Sequence, residues 1–585
     1  MRSTLERFSL LCSGARLQAC ENAGLKPRAT QLKNALAALV LCLPLAALAC
    51  APKYDLVIRN GDLVDGTGSP ARRADVAIKG DRIVAVGTVS GSARRTIDAS
   101  GHIVAPGFID VQGQSGTSLL TDGNGESHIR QGITTEIIGE GATPGLWTED
   151  THAAFRAARG FDWTGFDGYL HTVESRGTSI NLGSFAPIAA IREQVLGMEN
   201  RTPTPEELLR EEGILDRAMQ QGAFGFATAL IYPPASYTNT DELIALASVA
   251  SKYGGVYISH VRGESFRVKE AIGEAIEIGR KASLPVVVYH LKIGAKANWG
   301  RMDDIRAEIE AARAQGVDVT ACQYPYTAGG TNLPAVLPGW AQEGGRDKML
   351  ERLRSPAERA KMRRDIEANT EVENLLAGAT FAGVQIASLP ADKDQSILGK
   401  RLSQIAADRH QDEWETLFSI LLEYDGQVGA MFHMMSEDDV RTAMRYPWVS
   451  VGTDSAAIRP DGPLGAGQPH PRSYGTFPRI LGRYVRDERV LPLPEAIRKM
   501  TSLAASQMKI ADRGTLKPGA FADIVVFDPK TIADTATFEK PQQYPIGIDM
   551  VIVNGAVTLD AGRHTGVHAG RALHGPGFRP SRPTN

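Results

Sequence analysis

Cysteine is scarce in this 585-residue chain. Of five cysteines, Cys12, Cys20 and Cys42 fall before residue 50, which leaves Cys50 and Cys322 for the body of the protein. A disulfide framework is excluded, so stability has to come from a core, for which the length is ample. Excess charge of either sign is also missing: 64 Lys and Arg stand against 67 Asp and Glu, a net −3. That balance excludes the basic face of a nucleic-acid-binding protein. No apolar run reaches the length of a membrane-spanning helix. The longest, Ala35–Ala49, has fifteen residues, contains Pro44, follows Arg28 and Lys33, and ends in Ala47-Leu48-Ala49. This is the pattern of a secretory signal with a small-x-small cleavage site. Cleavage there would leave Cys50 at the new N-terminus, open to lipidation, although Ala47 stands where lipoprotein signals usually carry leucine. Residues 1–50 therefore read as a leader, long enough to suggest an over-extended start, and the expected location is periplasmic or secreted.

What is present is the texture of a soluble enzyme, 43% apolar and 22% charged. Residues 51–105 read as β-structure, with Asn60-Gly61 and Gly80-Asp81 as hairpin signals. The same texture returns at 513–572, in Ala522–Asp528 and Met550–Gly555, which suggests one small β-sandwich built from both ends. Between them apolar strands alternate with helical stretches, the pattern of a parallel (β/α)8 barrel. Eight candidates are found: Ala105–Val111, Thr134–Ile138, Ser179–Phe185, Ala223–Thr228, Val256–His260, Val286–His290, Val317–Cys322 and Val449–Asp454. Residues 106–338 would hold strands one to seven, and 410–512 would complete the barrel. The charged, helical stretch 339–409 reads as an inserted lid or specificity subdomain, or as a passive surface elaboration. The Pro- and Gly-rich tail from 573 is expected to be disordered.

Three strand ends carry chemistry. His260 closes Gly-Gly-Val-Tyr-Ile-Ser-His, His290 closes Pro-Val-Val-Val-Tyr-His, and Asp454 follows Trp-Val-Ser-Val-Gly-Thr. In a barrel the C-terminal strand ends converge on one mouth. Two imidazoles there are natural zinc ligands, and a free carboxylate can take the proton of an attacking water. His433 suggests a structural role, and the histidines at 102, 128, 152 and 171 lie in loops or helical stretches and suggest nothing.

Several longer motifs accompany these residues: Ala105-Pro-Gly-Phe-Ile-Asp-Val, Gln131-Gly-Ile-Thr-Thr, Ser259-His-Val-Arg, His290-Leu-Lys, Tyr324-Pro-Tyr-Thr-Ala, and His470-Pro-Arg-Ser-Tyr-Gly-Thr-Phe. With them the chain resembles the D-aminoacylase (N-acyl-D-amino-acid deacylase) branch of the amidohydrolase superfamily from about Tyr54 to Gly562. The resemblance implies a barrel with a β-sandwich and zinc-dependent hydrolysis of a linear amide that carries a carboxylate. It places the general base at Asp454. It also marks Lys292, Tyr232, Tyr324 and Arg472 as residues that line the substrate or stabilise the oxyanion.

The departures from the family pattern are informative. Where amidohydrolases have His-x-His after the first strand, this chain has Gln112-Gly-Gln114. Amide oxygens are poor zinc ligands, so one zinc per chain is expected, with the second position weak or empty. Gln112 and Gln114 would instead hydrogen-bond substrate or water, or simply fill the barrel mouth. Where many members carry a metal-binding cysteine, this chain has Gly139-Glu140-Gly141. Glu140 matches a variant in which glutamate is the ligand and completes a set with His260 and His290; a strand-end ion pair is the alternative. Gly329-Gly330-Thr331 replaces the common Ser-Ser-Thr, which leaves the substrate's identity open. Two other functions stay in view: hydrolysis of a different amide or a cyclic imide, and a binding pseudoenzyme.

Overall fold

The computed structural model describes residues 52–369 and 373–580. The leader, its cleavage site and Cys50 lie outside the described residues. Two compact units separate. Among described residues the smaller comprises 52–55 and 90–94, where the Tyr54 N–H donates to the Ser92 carbonyl at 3.2 Å. The larger contains Leu56–Val89 and everything from Arg95 onward.

In the larger unit, strands from both ends of the chain join in one continuous hydrogen-bonded sheet, the small β-domain expected from both termini. Ile103–Pro106 pairs antiparallel with Ile524–Phe527, which pairs in turn with Ile548–Val553. A bridge between Arg82 and Phe521 brings the far edge back toward the C-terminal strands. Period-two alternation divides the sheet between two cores. Val104, Ile524 and Val526 join Leu56, Ile58, Val76 and Ile78 on one face. Ile103, Ala105, Val525 and Phe527 join the main core on the other. Gly80-Asp81 makes the expected hairpin, pairing Lys79 with Arg82. Asn60-Gly61 does not. Asn60 takes φ +61° and the register slips between Ile58 and Gly61, so the pair forms a bulge within the strand Tyr54–Leu63.

Eight parallel strands fall at the expected runs, except that Ala105 and Pro106 of the first run belong to the small sheet. They are Phe108–Asp110, Ile133–Ile138, Asn181–Ser184 (continued by Ala186–Pro187), Gly225–Ala229, Val256–His260, Val286–Val288, Val319–Gln323 and Val449–Val451. All pairings between neighbours are parallel. A parallel bridge Gly113–Ser455 and the Asp454 N–H to Gln112 carbonyl bond, 2.7 Å, link the ends of the first and last strands. Ile109, Val111, Ile137, Phe185, Ala227, Ile258, Val287 and Cys322 form an apolar cluster of their own among the strands.

The excursion after strand seven is wider than 339–409. Ala328–Asn332, Gly429–His433 and Val384–Ser388 form an antiparallel three-stranded sheet, with Gly429–His433 central. Glycines at 329 and 330 disguise the first of these strands as loop. The tail was also misread. Through residue 580 it packs on the barrel: Leu573 and Gly575 donate to Leu182 and Gly222, and the ring of His574 stacks on Phe578 at 3.7 Å. Backbone pairing and aromatic packing hold a segment whose composition alone reads as disordered. Among the described residues no helix is long and apolar enough to cross a membrane.

Candidate active site and metal centre

Strand ends deliver the site. Glu140 follows strand two through Gly139, whose φ of +107° turns the chain where a side chain would collide with the Phe185 backbone. His260 is the last residue of strand five, and His290 and Asp454 lie just past strands six and eight. Both of the latter adopt positive φ, +34° and +50°, a conformation few non-glycine residues take and one that re-aims their side chains at the mouth.

The three expected ligands meet. Glu140 Oε1 lies 3.0 Å from His260 Nδ1 and 3.2 Å from His290 Nε2, and the two nitrogens are 3.1 Å apart. Tetrahedral zinc with bonds of about 2.0–2.1 Å separates its ligand atoms by about 3.3 Å. Glu140, His260 and His290 are all buried, and their donor set fits a divalent cation of the zinc type.

The second carboxylate oxygen of Glu140 accepts hydrogen bonds from both glutamines, Gln112 Nε2 and Gln114 Nε2, each at 2.8 Å. This revises the expected roles. Gln112 is buried and points at Glu140, and only Gln114 reaches the cavity wall. Their amides are spent on orienting a carboxylate.

Sequence reasoning missed Glu264. Its Oε1 lies 2.9 Å from His290 Nδ1 and 2.5 Å from Lys292 Nζ, and its Oε2 lies 3.4 Å from His260 Nε2. It therefore sits behind both histidines, where a carboxylate fixes ring orientation. Burial opposes ionisation, but His260, Lys292 and His290 together hold the Glu264 carboxyl far below its ordinary range. Glu264 lies in a loop four residues past His260, where no strand alternation reports it. Lys292, assigned to the substrate, is thus already paired.

Beneath the mouth, Asp110 accepts hydrogen bonds from the backbone N–H of Gln112 and of Thr453, and from the Thr453 hydroxyl. It staples strand one to the turn that carries Asp454, and burial pushes its carboxyl up to about 6. His128, read as uninformative, is fully buried with its Nδ1 3.2 Å from Glu136.

A cavity of about 540 Å³ opens over these groups. Arg472 Nη1 lies 2.7 Å from Asp454 Oδ2, and its guanidinium stacks on Tyr324 at 4.7 Å. Arg472 Nε and Nη1 are buried without a hydrogen bond of good geometry. Tyr232 stands edge-on to His260 with ring centroids 5.5 Å apart, and its hydroxyl bonds Thr331. Burial keeps that phenol protonated by raising it well above its usual range. Tyr324, Lys292, Arg472, Asp454 and Tyr232 all face this one space. His433, by contrast, packs against Gln385 at 3.1 Å, which agrees with the structural role expected of it.

Residues 95–559 match the model of the Amidohydrolase family. The D-aminoacylase of Alcaligenes xylosoxydans xylosoxydans is 34% identical over 532 residues, covering 89% of this chain and 97% of that protein. The N-acyl-D-glutamate deacylase of the same organism is 34% identical over 512 residues, covering 87% and 94%. The crystal structure of N-acyl-D-glutamate deacylase from Bordetella bronchiseptica contains zinc and a phosphonate inhibitor that mimics the tetrahedral intermediate. It matches with a TM-score of 0.75 at 32% identity, over 89% of this chain and 100% of that one. The chain belongs to the amidohydrolase family, in its N-acyl-D-amino-acid deacylase branch.

Proposed function

We propose that this protein is a zinc-dependent hydrolase that splits N-acyl-D-amino acids into a carboxylate and a free D-amino acid. The observation that carries the reading is the meeting of Glu140, His260 and His290 within 3.2 Å of one another, under a cavity that also holds Asp454 and Arg472.

Zinc held by Glu140, His260 and His290 would supply the Lewis acid that polarises the scissile carbonyl and acidifies water. One such ion per chain is expected, because Gln112 and Gln114 occupy the place of a second ligand pair and are engaged with Glu140. Asp454 takes a proton from the attacking water as the new C–O bond forms. The same acid returns it to the nitrogen as the C–N bond breaks, so that the amine leaves neutral. Tyr232 donates its hydroxyl proton in a hydrogen bond to the carbonyl oxygen, which gains negative charge in the transition state. Arg472, a buried cation in the cavity wall beside Asp454, takes the substrate carboxylate, with Tyr324 beneath it. Lys292 fixes Glu264 and through it His290, and it lines the same cavity.

We also propose export from the cytoplasm, on the strength of the apolar run Ala35–Ala49 and its Ala47-Leu48-Ala49 ending. Cleavage before Cys50 would permit a lipid anchor. The deciding experiment for the activity compares an N-acyl-D-amino acid with its L isomer and its methyl ester at equal concentration. The D acid should turn over fastest. Preference for the ester would refute the carboxylate clamp, and equal turnover of both isomers would remove the D assignment.

A further inference from the structure

A second cavity of about 600 Å³ adjoins the first, and the two share Tyr232 and Asn332 in their walls. Its apolar lining comes from Met198, Pro233, Pro334, Ala335, Met349 and Leu389. Among the described residues no Asp or Glu lines it, and the one cation among them that does, Arg346, lies at an exposed position.

The strand Ala328–Asn332 sets the direction between the two spaces. The Gly330 carbonyl accepts from Arg472 Nη2 at 3.3 Å, which marks the carboxylate end. Thr331 meets the Tyr232 hydroxyl, and Asn332 borders both cavities. An extended strand advances about 3.3 Å per residue, so Asn332 lies about two such steps beyond the carboxylate end. An N-acyl amino acid runs in the same order. Its carboxylate is followed by the α-carbon, the nitrogen, the carbonyl carbon and then the acyl chain. With the carboxylate on Arg472 and the carbonyl oxygen on Tyr232, the acyl chain leaves past Tyr232 toward the second cavity.

We propose that this second cavity is a subsite for the acyl chain and fits a long, unbranched, uncharged one. The proposal rests on the deacylase reading and deepens it. Two methionines give the wall a surface that adapts to a flexible chain. A cationic group at the far end of the acyl chain would lie here, where among the described residues no carboxylate lines the space to balance it, and burying an unpaired charge is costly. An acetyl group ends before the second cavity and gains nothing from it, whereas each methylene of a longer chain that is removed from water should raise kcat/KM up to roughly fourfold.

The test measures kcat/KM of the zinc-loaded full chain on N-acetyl, N-octanoyl and N-dodecanoyl derivatives of one D-amino acid. The octanoyl and dodecanoyl compounds should exceed the acetyl compound at least tenfold. Ala335→Trp and, separately, Met198→Trp should fill the cavity and remove that advantage while acetyl turnover stays within about twofold. Equal rates for all three in the unaltered protein would overturn the subsite, as would a parallel loss on all three in a variant that melts normally. The chain-length comparison stands even if one variant fails to fold. Hydrolysis of the acetyl compound alone removes the subsite and leaves the deacylase reading intact. Hydrolysis of none removes both.

Discussion

Arg472 Nη1 lies 2.7 Å from Asp454 Oδ2, so the cation placed to receive the substrate carboxylate also touches the group placed to carry the proton. Burial raises the Asp454 carboxyl, Arg472 opposes that rise, and Glu140 adds to it. Removing Arg472 therefore lets the carboxyl rise further, and a general base works only when ionised. Arg472→Gln should shift the acidic limb of the kcat/KM–pH profile to higher pH. It should also raise KM for an anionic substrate about tenfold or more, the scale of a lost charge-assisted hydrogen bond. An acidic limb that stays in place would separate the two roles.

Asp454→Asn keeps the shape of the side chain and removes the basic oxygen. We expect kcat to fall on the order of a hundredfold or more with zinc content unchanged. Glu140→Ala should do the reverse and lose metal first. Near-normal turnover in the Asp454 variant would assign the proton to another group.

Gln112 and Gln114 both hold Glu140, so Gln112→Leu with Gln114→Leu should weaken zinc affinity about 10–100-fold, the usual effect of removing groups that orient a ligand. Elemental analysis of the dialysed, unaltered protein should find about one zinc per chain. Gln112→His with Gln114→His should raise that figure under excess zinc. A stable count near two in the unaltered protein would contradict the assignment. Because zinc binds only the folded site, a chelator should lower the melting temperature as well as the activity.

A fourth expectation concerns stability. Glu211, Glu242 and Arg192 are all buried, with Arg192 Nη1 2.5 Å from Glu242 Oε1. Burial, and after it the charge of Glu242, push the Glu211 carboxyl from 4.5 up to about 8. The folded chain thus keeps a proton that the unfolded chain releases above about pH 4.5. Stability should fall as pH rises from there to about 8 and stay low beyond. Glu211→Gln, neutral at every pH, should flatten this dependence. Melting temperatures at pH 6 and pH 9 decide it: an equal drop in both proteins would clear Glu211.

The barrel was legible because its strands are buried on both faces and read as short apolar runs ending in polar residues. His260, His290 and Asp454 are such endings. Glu140 came from comparing its turn with a family pattern, since Gly-Glu-Gly alone says little. What stayed hidden were contacts between side chains far apart in sequence, such as Gln112 with Glu140 and Asp110 with Thr453. The three-stranded sheet of the excursion was hidden as well, because Ala328-Gly-Gly-Thr-Asn carries no alternation to mark it. Asn60-Gly61 misled because a residue in the left-handed region serves a bulge as well as a turn.

The pairing of Ile103–Pro106 with Ile524–Phe527 also has a consequence for how the chain is made. Val525 emerges from the ribosome about 420 residues after its partner Ala105, an interval of roughly 20–80 s at 5–20 residues per second. The first strands must wait through that interval with an apolar edge unpaired. Leu182 waits similarly for the carbonyl of Arg571. Those edges need shielding until both ends of the chain are present together, whether on the ribosome or in an unfolded chain held for export.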